Sequence, residues 1–157
     1  MHRVSVQTEP FDAGREIAAL TQGRHDVGAV VSFVGLVRDL NDDSRVSRMT
    51  LEHYPGMTEK ALEEICHEAA VRWSLIDLRV VHRVGTLQPG EAIVLVAVSS
   101  AHRGDAFAAC EFVMDYLKTR APFWKKETTA AGERWVEARD ADQEAAARWQ
   151  EDAGKPP

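Results

Sequence analysis

Apolar positions along the chain recur with two different periods, and the switches between them mark out the elements. Val4 and Val6 alternate with polar neighbours, which predicts a short first strand. Residues 12–21 read as a short helix, and 28–37 form a β-branched apolar run that predicts a buried strand. The polar stretch 39–45 carries an acidic cluster and no apolar period, so it reads as a loop; 47–54 reads as another strand. Pro55-Gly56 then breaks the chain, and Thr58 and Glu59 open a helix to about Trp73, with Leu62, Ile65, Ala69 and Trp73 on one face. Residues 77–84 predict a strand, Gln88-Pro89-Gly90 a turn, and 91–99 the strongest strand of the chain. A second long helix is expected from about Gly104 to Lys118, with Ala106, Cys110, Val113, Met114 and Leu117 as its apolar stripe. It cannot pass Ala121-Pro122, because proline lacks the N–H donor and biases the preceding residue toward extended backbone. Residues 123–128 and 133–138 suggest a closing hairpin around Ala131-Gly132, and a short charged helix follows from about 141.

Interleaved helices and strands without a long linker or a repeat predict one α+β (mixed α/β) domain, with hairpin-like pairs favouring mixed or antiparallel pairing. The expected domain spans residues 1–149, and 150–157 are expected to form a flexible C-terminal tail. A chain of 157 residues can bury roughly two-thirds of its unfolded surface, so it needs neither a disulfide nor a metal to hold its fold. Its net charge of -6 argues against a generic binder of nucleic acid or anionic membrane. No apolar run approaches the roughly 20 residues that cross a bilayer. Met1-His2-Arg3-Val4-Ser5-Val6 has no signal-peptide core, so a cytoplasmic location is expected. Cys66 and Cys110 are far apart among helix-like neighbours, as free buried thiols in a reducing compartment would be.

Several familiar chemistries are missing. There is no dinucleotide-binding or Walker glycine loop, no nucleophile-elbow serine, and no histidine spacing for a metal. His67-Glu68 begins like a zinc-protease motif but lacks the second histidine. What remains is cationic. His102-Arg103 lies between the strongest strand and the second long helix, where free N–H groups and the positive dipole end favour an anion; surface charge at a turn is the competing reading. Lys118, Arg120, Lys125 and Lys126 lie within residues 118–126 with no acid among them, interleaved with Pro122, Phe123 and Trp124. Lysines in such a setting can act as nucleophile or general acid/base, or can simply be solvated. Arg38 ends the first long apolar run and can line a site or pair with Asp39 or Asp42. His53 and Tyr54 can be polar groups near a site or a satisfied, partly buried pair. Glu127 can orient Lys125 or Lys126, or be an ordinary hairpin residue.

Three segments resemble one family when taken together. They are Leu51-Glu52-His53-Tyr54-Pro55-Gly56-Met57, Ser100-Ala101-His102-Arg103, and the run from Met114 through Tyr116-Leu117-Lys118 and Pro122-Phe123-Trp124 to Lys125-Lys126-Glu127. They are similar to the large, catalytic subunit of molybdopterin synthase, and Val81-His82-Arg83-Val84-Gly85 and Arg134-Trp135-Val136-Glu137-Ala138 fit the same pattern. The resemblance covers about residues 10–149. It implies an α/β hammerhead-like fold with an additional antiparallel β-sheet. It implies a sulfurtransferase that converts cyclic pyranopterin monophosphate to molybdopterin. The sulfur would come from the C-terminal Gly-Gly thiocarboxylate of a small ubiquitin-like partner subunit. A homodimer of large subunits within a heterotetramer is implied as well. The sequence itself gives no metal or organic cofactor requirement. Residue by residue, Lys118 and Lys125 match catalytic lysines; Arg38, His102 and Arg103 match substrate-binding residues, with Arg38 reaching toward the substrate of the dimer partner. Val37, Lys126 and Glu127 fall in matching substrate-contact segments, and Leu36 stands where some relatives carry a basic residue. Two readings compete with this one: a non-catalytic module that captures a ubiquitin-like tail, and a phosphate-binding protein without chemistry.

Overall fold

The structure, a computed structural model, describes residues 2–41, 44–136 and 140–153. Its elements in chain order are β1 (His2–Gln7), α1 (Ala13–Ala19), β2 (Ala29–Leu36), β3 (Leu40–Asn41), β4 (Ser44–His53), α2 (Met57–Arg72) and β5 (Asp77–Arg83). They continue with β6 (Gly85–Leu87), β7 (Ala92–Ser100), α3 (Arg103–Arg120), β8 (Phe123–Thr129), β9 (Gly132–Val136) and α4 (Asp140–Ala153). This is the expected mixed α+β architecture. One sheet has four strands in the order β1-β5-β7-β2, with β1 parallel to β5 and the other pairs antiparallel. The second sheet is antiparallel, in the order β3-β4-β8-β9 with β6 also on β4.

The apolar period of each helix says which face is buried. In α2, Leu62, Ile65, Cys66 and Ala69 are fully enclosed, and in α3 so are Ala106, Ala109, Phe112 and Val113. All of these except Ala106 meet Leu78, Val80, Val96 and Val98 of the first sheet in one continuous core. Trp73, Phe112 and Trp149 cross edge to face with centroids 5.3–5.5 Å apart and bring α4 onto α3. Aromatic pairs of that geometry add about 0.5–1.5 kcal/mol each beyond the area they bury.

Several expectations are corrected by the sheet pairings. The stretch 39–45 contains β3 and the start of β4, because Leu40 and Asn41 pair with Arg45 and Ser44; pairing supplies what the sequence pattern lacks. The short β6 was not anticipated: three residues carry too little period to register, and it exists because Gly85–Leu87 meets β4. The run 28–37 does form a strand, yet β2 lies at a sheet edge and leaves Phe33, Val34 and Leu36 38–57% exposed. A β-branched run reports strand propensity, whereas burial depends on what covers it. In the closing hairpin β9 ends at Val136; Glu137 and Ala138 lie outside the described residues. The expected start of the tail at 150 falls inside α4, which runs to Ala153, and residues 154–157 lie outside the described residues.

Pro122 ends α3 as expected: Ala121 turns to extended backbone (φ -81°, ψ 130°) and β8 begins two residues later. The start of α2 is tied to this turn. The Thr58 hydroxyl donates to the Pro122 carbonyl at 3.0 Å and accepts from the Tyr54 N–H. The turn between α3 and β8 is thereby held against the start of α2.

Candidate active site

Where α3 gives way to β8, the two sheets and the helix enclose a cavity of about 290 Å³. Helix period places Lys118 at its edge. Met114 and Leu117 are buried at i-4 and i-1, so Lys118 borders the apolar stripe and its side chain reaches the cavity. Strand period decides the other wall. Successive side chains of β8 alternate, so Phe123, Lys125 and Glu127 face the cavity, while Trp124 and Lys126 face away. Lys126 instead pairs with Glu133 at 3.6 Å and lies over the Trp135 ring. Arg120 turns to Glu68 of α2 and over Tyr116. The four-cation stretch of the sequence therefore divides in two: Lys118 and Lys125 meet in the cavity, and Arg120 and Lys126 serve packing and surface pairing.

Arg38, expected to reach toward the substrate of the dimer partner, lines this same cavity of its own chain from just beyond the end of β2, next to Leu36. Of its two possible acidic partners, Asp39 pairs with Arg45 at 3.3 Å, and Asp42 lies outside the described residues. Among the described residues Arg38 has no ion-pair partner, which leaves its guanidinium for an anion. The Val37 side chain is buried in the core. Its N–H donates to Glu91 and its carbonyl accepts from Gly90, so Val37 anchors the strand end that presents Arg38.

Glu127 is 2% exposed. Both carboxylate oxygens accept from Asn41 Nδ2, at 2.9 and 3.0 Å, and Oε1 also accepts from Arg134 at 3.3 Å. This network joins β3, β8 and β9 and satisfies a buried charge that would otherwise be costly. His53 is half-buried near Glu59 at 3.8 Å, and Tyr54 is exposed.

His102 and Arg103 are at the other end of α3, as its N-cap and first helical residue, both exposed. Fifteen residues of helix separate Arg103 from Lys118, roughly 22 Å at 1.5 Å per residue. Within one chain they do not reach the cavity that holds the lysines. The anion site that the sequence suggests at this helix start is a second, separate cationic point.

His82 was not among the expected site residues. It is buried on β5, lines the cavity, and stacks on Phe123 with centroids 3.9 Å apart. Burial pushes its imidazole down to about 3; a hydrogen bond to the Arg83 backbone opposes this, and Lys125, Lys118 and His53 add repulsion. No motif spacing marks it, because an isolated buried histidine in a strand looks like core. The thiols are buried and free, as expected. Burial raises Cys66 to about 12 and Cys110 to about 11, which leaves both protonated and unreactive at neutral pH.

The arrangement can hold a multiply anionic ligand against Arg38, Lys118 and Lys125, with an apolar wall of Met49, Ile93, Leu117 and Phe123 for the rest of it. Comparison with known proteins points the same way. Residues 6–120 match the family described as MoaE protein. The chain is 64% identical over 149 residues to a molybdopterin synthase catalytic subunit of Ralstonia nicotianae, across 95% of this chain and 85% of that protein. It is 59% identical to the solved molybdopterin biosynthesis MoaE protein of Burkholderia ambifaria, with a TM-score of 0.82 and coverage of 96% and 99% of the two chains. The crystal structure of molybdopterin synthase from Staphylococcus aureus matches at 34% identity and TM-score 0.78, across 85% of this chain and 96% of that one.

Proposed function

The chain belongs to the MoaE protein family of molybdopterin synthase catalytic subunits, and from that premise we propose how its own residues carry out sulfur transfer. The reaction moves sulfur from the C-terminal thiocarboxylate of a small ubiquitin-like subunit to cyclic pyranopterin monophosphate, forming the dithiolene of molybdopterin. One observation carries the assignment: Lys118 from a helix end and Lys125 from a strand converge on one cavity beside Arg38. Both reactants are anionic there. The thiocarboxylate and the oxyanion that forms as sulfur leaves its carbonyl carbon need cationic donors in a partly dry site, and the two lysines supply them. Arg38 suits the phosphate by charge-assisted hydrogen bonds.

His102 and Arg103 enter this reading through a second copy of the chain. Their distance from the lysines along α3 excludes a shared ligand within one chain, so a dimer that sets one copy's helix start beside the other's cavity would complete the site. Val37 anchors the strand end that presents Arg38, Glu127 ties β8 to β3 and β9, and Lys126 faces away from the cavity toward Glu133. The free, protonated thiols suit a reducing cytoplasm and keep the chain's own sulfur out of the reaction.

The test mixes the chain with the thiocarboxylated small subunit and the cyclic pterin and follows dithiolene product by mass spectrometry. Wild type makes product, and Lys118→Ala binds the small subunit but turns over on the order of hundredfold more slowly. Full turnover by Lys118→Ala removes the catalytic role from that lysine. A wild type that binds the tail and makes no product is an adaptor, not an enzyme.

A further inference from the structure

The cavity wall that carries Lys118 and Lys125 also carries a group of opposite character. His82 Nδ1 is 2.8 Å from the carbonyl oxygen of Arg83. A carbonyl oxygen only accepts, so Nδ1 holds the ring hydrogen. Burial keeps the ring neutral, and a neutral imidazole has one N–H, so Nε2 is a bare lone pair. Stacking on Phe123, with 19° between the planes, and the Nδ1 bond together stop the ring from flipping. The result is a hydrogen-bond acceptor of fixed orientation on a residue that lines the cavity together with Arg38, Lys118 and Lys125.

An acceptor in that position repels an oxyanion and has nothing to offer a phosphate or a thiocarboxylate. It suits an N–H donor. The apolar residues around it, Phe123, Met49 and Ile93, suit the flat heterocycle that would carry such a donor. We propose that His82 is a ligand-binding residue whose Nε2 accepts a hydrogen bond from a ring N–H of the bound pterin and thereby sets which end of the substrate faces the lysines. This rests on the function proposed above and assigns the pterin end of the site, as Arg38 and the lysines serve its anionic end. A site built around such an acceptor discriminates by leaving a wrong ligand's group, or its own, unpaired.

The experiment titrates cyclic pyranopterin monophosphate calorimetrically into the chain alone, as wild type, His82→Phe and His82→Gln. Phenylalanine keeps a ring on Phe123 and removes the acceptor; glutamine returns an amide oxygen near the place of Nε2. Pterin binding is expected to weaken on the order of tenfold or more in His82→Phe and to recover most of that loss in His82→Gln. Binding of the small subunit is expected to stay within twofold throughout. Wild-type protein labelled with ¹⁵N-histidine gives a second readout that needs no variant. At pH 7 the His82 Nε2 signal is that of an unprotonated nitrogen, and it moves upfield when pterin is added. Unchanged pterin affinity in His82→Phe, a protonated Nε2 in the free chain, or a signal that ignores the pterin overturns the proposal. So does a loss confined to small-subunit binding, which would mean that the acceptor serves the partner's tail. If wild type assembles with the small subunit yet binds no pterin, the functional reading fails first and this inference falls with it.

Discussion

A buried neutral histidine leaves a trace in the acid stability of the protein. In the unfolded chain His82 titrates near 6.5; in the folded chain burial holds it at about 3, with Lys125 on β8, Lys118 on α3 and His53 on β4 adding repulsion. Between those values the unfolded state binds a proton that the folded state refuses. The contribution of the neutral ring is therefore complete above about pH 6.5 and is lost as pH falls toward 3, by at most about 1.4 kcal/mol per pH unit. Denaturant unfolding measured from about pH 7 to pH 4 should show wild type losing stability more steeply than His82→Gln, which has no ring to protonate. Parallel curves would mean that the imidazole is solvated in the folded protein. The segment Val81–Gly85 fits the family pattern but does not single out His82, whose character comes from burial and from Phe123 and Lys125, more than 40 positions away.

At the scale of elements, the site is made by one helix stop and one strand alternation. Pro122 ends α3 so that Lys118 lies in its last turn, where the negative end of the helix dipole favours a cation. β8 then starts at Phe123 and sends odd-numbered residues inward. This separates two adjacent lysines that composition alone treats alike. Lys125→Ala should lower turnover on the order of hundredfold, as loss of an oriented cation does. Lys126→Ala should stay within a few-fold, because its ammonium is spent on Glu133 and Trp135 at the surface. Parallel assays of dithiolene formation decide between them, and a loss in Lys126→Ala as large as that in Lys125→Ala would mean that Lys126 also acts in the site. The stop at Pro122 and the strand after it were legible in the sequence. The tie that holds β8 to β3, through Asn41 and Arg134 on Glu127, was not, because it joins residues 86 and 7 positions apart across two sheet pairings.

For the whole molecule, the division of cations between the two ends of α3 has a consequence for assembly. If one copy provides Lys118 and the other provides Arg103, two inactive variants can rescue each other. A mixture of Lys118→Ala and Arg103→Ala chains, allowed to exchange, should recover part of the activity that each lacks alone, because one kind of hybrid site has both residues intact. A mixture as inactive as its parents would place both residues in the work of a single copy. The exposed edge strand β2, with Phe33, Val34 and Leu36, is apolar surface of the kind such an assembly covers. The net charge of -6 is an average: the cavity lining sets Arg38, Lys118 and Lys125 against Glu127 and Asp142, which leaves it locally positive. Among the described residues no helix is long and apolar enough to cross a membrane.

The sequence by itself determined the local rules of this protein. Residue period set the helix stripes of α2 and α3, Pro55-Gly56 set where α2 begins and Pro122 where α3 stops, and the density of lysine and arginine at 118–126 marked where chemistry would be. These are properties of near neighbours, and near neighbours are what a sequence displays. Only the tertiary structure decided which of the four cations share a cavity, that β2 is an exposed edge strand and not a buried one, that 39–45 holds paired strands, and that His102-Arg103 is too far from Lys118 to share a ligand with it. Each of those depends on strand pairing or on distance through space, and neither is a function of separation along the chain.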